Sequence, residues 1–304
     1  MKEKRPADFI LRFCRDIVGL DSLHFGLFQS DNAHTLDGLK TAQENYSRFL
    51  LERIPAGTRR ILDAGCGTGE LSERLVAAGY SVTALTPDSY LADAVIRRLG
   101  DRAAFSLSKF EDFEGAQPFD LVIMSESCQY MAHHLLFPKA RTLLADGGYL
   151  LISDYFRKAD GSYYETVWTE SEFSEKLAKS NFEVVACDDI TDGALPTLDV
   201  GKKMYSEIVL PTIELLRDLL VHVIPGFIVR IFKFFLRKQL ALAADFLYTK
   251  QPQQFDRDRF KEHVNYRVLL LRKRTASAFE APVVQDAPDE APERDVHGQT
   301  QAQA

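Results

Sequence analysis

Short apolar runs and stretches with a three-to-four-residue apolar repeat alternate along the chain. Ile61-Leu62, Ser81–Thr86, Ala103–Leu107, Phe119–Ser125, Tyr149–Asp154, Phe182–Asp188 and Tyr266–Leu271 have the length and composition of buried strands. Between them the apolar positions recur at helical spacing: Leu36–Ile54, Leu71–Ala78, then Ala92, Val95, Ile96 and Leu99, then Leu135, Leu136, Ala140, Leu143 and Leu144. A further helix is expected between Tyr163 and Lys179 around Trp168, Phe173 and Leu177, and another at the start through Phe9, Ile10, Phe13, Ile17 and Val18. Strands alternating with helices predict a doubly wound α/β fold.

The first strand runs into Asp63-Ala64-Gly65-Cys66-Gly67-Thr68-Gly69. Glycines at alternate positions suit a turn where a ligand packs on the backbone and φ is positive. The helix that follows aims free N–H groups into that turn. The stretch resembles motif I of class I S-adenosylmethionine (SAM) dependent methyltransferases, D/E-x-G-x-G-x-G. A dinucleotide-binding turn is the alternative, but the glycine spacing departs from G-x-G-x-x-G, and no clean later acidic residue follows. The resemblance implies that Gly65, Cys66, Gly67 and Gly69 hold the methionine end of SAM, with Asp63 orienting the turn or the amino group.

Other stretches are similar to the sterol, tocopherol and cyclopropane-synthase-like group of small-molecule and lipid methyltransferases. The second strand ends in Leu85-Thr86-Pro87 where most class I enzymes have an acidic ribose ligand, so Thr86, Pro87 and Asp88 are the implied ribose-side loop. Asp88 is equally placed to cap the next helix, and the two roles are compatible. In Lys109-Phe110-Glu111-Asp112 the usual acidic adenine contact is missing; Glu111 or Asp112 would substitute, and Phe110 either stacks on the ring or packs the core. Phe119–Met131 matches that group's fourth-strand signature at Phe119, Asp120, Val122, Glu126 and Met131, placing Ser125 and Glu126 beside the cofactor. Its Glu-His pair is replaced by Gln129-Tyr130, which argues against cyclopropanation. Glu126, Tyr130, His133 and His134 are the candidate catalytic residues; a histidine can serve as base near neutral pH, or simply be exposed. Asp154 and Tyr155 fall at the carboxyl edge of the sheet.

Leu23–Phe28 and the helix containing Ala42-Gln43 and Tyr46 look like the N-terminal cap of such enzymes, with His24, Phe25 and Gly26 either near cofactor and acceptor or packing the cap. The resemblance, which covers about residues 23 to 200 and the last strand, implies a Rossmann-like seven-stranded sheet with its last strand antiparallel, a cap over 1–55, a core over 56–199 and the last strand over 265–274. Residues 200–264 carry no motif of that family and read as a helical insertion, and the Ala-, Pro-, Gln-, Glu- and Asp-rich composition of 275–304 predicts a disordered tail. Leu195–Leu198 is expected as a loop over the pocket. In the insertion, 219–247 mixes large apolar residues with Arg230, Lys233, Arg237 and Lys238. It is a lid over the acceptor, an interfacial helix touching a membrane, or a dimer contact.

Charge narrows the partners little. The net charge is −7, yet residues 276–304 hold six acidic groups against one arginine, so the rest is near neutral. Nucleic acid is not expected as a partner. Four scattered cysteines show no metal-ligand spacing, no metal is expected, and reduced thiols with no apolar signal-peptide core point to the cytoplasm, possible membrane association aside. The expected activity is methyl transfer from SAM to a small lipophilic acceptor through O, N or an activated carbon. Its alternatives are an inactive SAM-fold protein that binds a lipid surface or protein partner, and an NAD-linked enzyme. Oligomeric state is not legible.

Overall fold

The strands β1 (Arg60–Ala64), β2 (Ser81–Thr86), β3 (Ala104–Leu107), β4 (Phe119–Ser125), β5 (Leu144–Arg157), β6 (Phe182–Asp189) and β7 (Val264–Lys273) form one sheet, ordered β3-β2-β1-β4-β5-β7-β6. These come from a computed structural model that describes residues 12–22, 24–159, 164 and 167–275, apart from the side chains of Phe232 and Lys233. All neighbours are parallel except β7, which runs antiparallel between β5 and β6. Strand order reverses between β1 and β4, and at such a switch point the carboxyl ends of the strands open a crevice.

Both faces of the central strands are buried, which is why these read as nearly continuous apolar runs, while the edge strands β3 and β6 are largely exposed or half-buried. Successive residues go to opposite sides: Ile61, Leu121, Ile123 and Leu151 join one cluster, while Leu62, Val122, Leu150 and Ile152 join the other. Helices α1 (Leu36–Leu51), α2 (Glu70–Ala77), α3 (Ser89–Leu99), α4 (Leu136–Leu143) and α5 (Glu170–Ala178) supply much of the covering. The start of the expected first helix at Phe9 and Ile10, and that of the helix from Tyr163, lie outside the described residues, as does the tail from 276 on. What is described near the N-terminus is one π-helical turn, Phe13–Ile17.

Leu195–Leu198 is helical, not a loop. Thr191–Ala194 (α6) leads into Pro196–Met204 (α7), because Pro196 falls in the first turn of α7, where its missing N–H and fixed φ are tolerated. Leu195 and Leu198 are buried beneath it. The segment 24–28 lies across α1 and α6: Leu27 N–H donates to Ala42 O at 2.8 Å and Phe28 N–H to Gly193 O at 2.8 Å. Gly26 is required here, since a Cβ would sit 2.6 Å from the Ala42 Cβ. Gln43, buried in α1, ties the segment down by donating to the carbonyls of Ser22 (3.1 Å) and His24 (2.7 Å).

Beyond α7 the insertion continues through a π-helical stretch, Tyr205–Val209, into α8 (Leu210–Val223), α9 (Gly226–Phe235) and α10 (Arg237–Asp245), and returns by α11 (Arg257–His263) to β7. Its base is fastened: Tyr205 OH donates to Leu247 O at 2.7 Å, and its ring lies 5.7 Å from that of Phe255. Neither α8 nor α10 contains a buried residue. No helix among the described residues is long and apolar enough to cross a membrane.

Candidate active site

The glycine turn has the backbone that the spacing calls for. Gly65, Gly67 and Gly69 have φ of +92°, +54° and +82°. The N–H groups of Gly65 and Cys66 both donate to Leu85 O, at 2.8 and 2.9 Å, which seats the turn on the end of β2. A Cβ on Gly65 would meet the Ser127 Cβ at 2.4 Å, whereas Gly67 faces open space. Ser127 is itself fixed, its hydroxyl donating to Ala64 O at 2.5 Å. Gly69 precedes α2 and no side chain caps that helix, so its first N–H groups are left for a ligand. Asp63 is buried and accepts from Ser72 Oγ at 2.5 Å, so it orients the turn through α2; burial pushes its carboxyl up to about 6.

At the end of β2, Thr86 is buried and its hydroxyl accepts from the Asp88 N–H at 3.2 Å. Asp88 caps α3 by accepting from the Tyr90 N–H at 2.8 Å, and Pro87 is exposed. Phe110 belongs to the main apolar core, among Leu85, Phe113 and Met131. Glu111 accepts from the Ala132 N–H at 2.6 Å and so joins its loop to the one that follows β4.

The most elaborate polar cluster surrounds Glu126, just past the end of β4. This residue adopts φ +51°, unusual without glycine, and its N–H donates to Ser153 O at 2.7 Å. Its Oε1 accepts from Tyr266 OH at 2.6 Å and from the Phe25 N–H at 2.7 Å. The Tyr46 hydroxyl lies 2.7 Å from Ser153 Oγ, 2.9 Å from Ser125 Oγ and 3.2 Å from Tyr266 OH. Part of Glu126 reaches the surface of the crevice, yet the protein packed around it pushes its carboxyl up to about 8, with the Asp154 charge adding to the effect. Asp154 is fully buried, is raised by burial to about 6, and accepts from Gln129 N–H and Nε2 at 3.3 and 3.2 Å. An amide at 129 thus matches a carboxylate that a second acid would repel.

Aromatic rings wall this cluster. Phe25 lies 5.6, 5.8 and 5.9 Å from Phe260, Tyr155 and Tyr266, and Tyr164 lies 5.6 Å from Tyr155. His24 packs on Tyr46 at 4.3 Å, and burial lowers its pKa, so it is neutral. With Nδ1 2.7 Å from Phe25 O, the tautomer that donates there leaves Nε2 as a buried acceptor, and that atom has no partner. A glycine cradle, an uncapped helix start and a spare acceptor within the field of Glu70 fit the methionine end of SAM, with its carboxylate and ammonium.

Of the remaining candidates, Tyr130 is 79% exposed, yet the protein beside it and then the Glu126 and Asp154 charges raise its pKa, so it lies within reach of that cluster. The two histidines do not gather there: His133 stacks on Trp168 at 3.6 Å and pairs with Glu172 at 3.0 Å, and His134 is exposed. Conversely, Tyr266, Ser153 and Phe260 were not singled out from the sequence. Tyr266 is a fully buried polar ring in the run Val264–Leu271, and one tyrosine amid aliphatic strand residues was the available signal.

Raised carboxyls have a consequence for stability. A carboxyl with an elevated folded-state pKa keeps its proton in the folded chain over a range where the unfolded chain has lost it, so stability falls as pH rises through that range. Asp63 and Asp154 act from about 4 to 6, and Glu126 carries the loss onward to about 8. Urea unfolding of the ligand-free protein should therefore show lower stability at pH 8 than at pH 6, by roughly 1 kcal/mol per pH unit. Glu126→Gln should flatten that slope; an unchanged slope would contradict the assignment.

A family model described as a methyltransferase domain matches residues 34–186, half of the chain. An uncharacterised methyltransferase of Bacillus velezensis is 29% identical over 168 residues, covering 54% of this chain and 75% of that protein. Several other bacterial methyltransferases are matched over about half of their length. In fold the chain is similar to the [4+2]-cyclase SpnF, with TM-score 0.65, 16% identity and coverage of 88% and 94% of the two chains. It is also similar to geranyl diphosphate C-methyltransferase from Streptomyces coelicolor, with TM-score 0.62, 15% identity and coverage of 90% and 99%. Neither the NAD-linked alternative nor the inactive one finds support in these likenesses. The chain belongs to the methyltransferase domain family and is a SAM-dependent methyltransferase.

Proposed function

We propose that the acceptor is a small lipophilic molecule, held between the aromatic wall and Glu126 and methylated at an atom that gives up a proton. The observation that carries this reading is the composition of the wall: Phe25, Tyr155, Phe260 and Tyr266 pack into one aromatic cluster, and two of its members, Phe25 and Tyr266, bond the carboxyl at the end of β4. Such a wall recognises an apolar body, and the carboxyl supplies one oriented polar contact. Geranyl diphosphate C-methyltransferase, a fold neighbour, is named for a substrate whose geranyl chain is apolar and whose diphosphate is charged, so it supports the apolar body of the acceptor alone.

SAM supplies a sulfonium-bound methyl carbon that is electrophilic. The chain's own contribution is first to hold the two reactants in line and exclude water, which accounts for most of the acceleration in such transfers. The cap serves this purpose directly: the Phe25 N–H reaches Glu126, and the Thr68 hydroxyl donates to the Asp21 carbonyl, so Asp21 and Phe25 are tied to the turn and to the carboxyl. Tyr266 OH and the Phe25 N–H hold Oε1 of Glu126 in place, and the carboxylate takes the acceptor's proton on Oε2, at a pKa close to working pH.

Incubating the full chain with methyl-labelled SAM and a total lipid extract of the source cell should move label into the organic phase. Label found only in water-soluble products would overturn the lipophilic reading.

A further inference from the structure

We propose that the tip of the insertion, α8 to α10, docks the protein on an anionic lipid bilayer. From 215 to 246 nearly every described residue is exposed, and large apolar side chains dominate: Leu219, Val223, Phe227, Phe234, Phe235 and Leu242 range from 55% to 72% exposed. A patch this extensive on a soluble fold marks a binding surface. Pro225 and Gly226 break the helix between α8 and α9, and the base of the tip is fastened by the Tyr205 hydroxyl on Leu247 O.

Charge selects the occupant. Between residues 219 and 244 the sequence contains Arg230, Lys233, Arg237 and Lys238 and no Asp or Glu, in a chain whose net charge is −7. In α9 the apolar positions 227, 231 and 234 fall on one stripe and position 230 falls on its flank, while Arg237 and Lys238 open α10. Apolar side chains beside cations are the pattern of a helix that lies in the headgroup boundary, and the tip is too short to span a bilayer. A protein partner's apolar groove would not need an acid-free belt of cations; an anionic membrane surface attracts each of them.

Docking does not depend on which acceptor is methylated, and it is read without turnover. The full chain should co-sediment with vesicles of phosphatidylglycerol mixed equally with phosphatidylcholine, at least tenfold more tightly than with phosphatidylcholine alone. Phe234→Glu with Phe235→Glu should weaken both by more than tenfold, and Arg237→Gln with Lys238→Gln should weaken only the anionic case, by about tenfold. All variants should melt and bind SAM as the parent chain does, since these side chains are exposed. Absence of vesicle binding by the parent chain, or equal binding by the Phe234/Phe235 variant, would overturn the proposal. So would a lipid-free dimer that the same variant dissociates, because a second copy would then cover the tip.

Discussion

Gly65→Ala is expected to weaken SAM binding at least about 100-fold, or about 3 kcal/mol, while the chain still folds. Two costs coincide at this position. An L-residue at φ +92° is strained by about 1–2 kcal/mol, and its Cβ would lie 2.4 Å from that of Ser127. Ser127 cannot yield freely, since its hydroxyl is bonded to Ala64 O. The turn itself must therefore shift, taking with it the N–H groups of Gly65 and Cys66 that set its position on β2. Gly67→Ala makes an informative contrast. Its φ of +54° also strains an L-residue, by about 1–2 kcal/mol, but no neighbouring atom lies within 4 Å of the added Cβ. That variant should lose less melting temperature than Gly65→Ala, which carries the clash as well as the strain, and still lose affinity, because the space it fills belongs to the ligand. Calorimetric titration with SAM and thermal melts separate the two effects; unaltered affinity in Gly65→Ala would remove the turn from the cofactor site.

Glu126→Gln should lower kcat for methyl transfer about 100- to 1,000-fold and leave the Kd for SAM within about threefold. The amide keeps the shape and the bond from Tyr266 OH but accepts no proton. The pH profile gives a sharper reading. Transfer requires the carboxylate, so kcat/KM for SAM should rise with pH and level off above about 8, the value to which burial and Asp154 push this group. A cation bound beside the carboxyl favours its charged form, so the corresponding limb in kcat should lie lower. Tyr266→Phe removes a hydrogen bond that stabilises the carboxylate, and its limb should move upward. A merely structural role for Tyr266 would lower rate or stability without moving the limb. If Glu126→Gln retained the parent rate and profile, the proton would have to leave by another route.

What could be read from the sequence divides along physical lines. The sheet was legible because two-sided burial writes each central strand as an apolar run, and the turn was legible because positive φ at Gly65 and Gly69, and close approach at Gly65, favour one residue type. Strand ends were less so: β5 and β7 run well past Tyr149–Asp154 and Tyr266–Leu271, since their antiparallel pairing from Tyr149–Arg272 to Arg157–Val264 extends into polar positions. The helical state of Leu195–Leu198 was obscured by Pro196, which reads as a breaker but opens α7. The Glu126 cluster was only half visible. Its carboxyl belongs to a recognisable signature, whereas Tyr46 and Tyr266, 220 positions apart, meet only through the fold. His133 was a reasonable candidate by chemistry, and packing on Trp168 gives it a structural place instead.

Titrating the full chain with SAM and, in parallel, with NAD by calorimetry tests the central claim most directly. The account predicts that SAM saturates one site per chain and that NAD gives no binding heat. Saturable binding of NAD with none of SAM would contradict it.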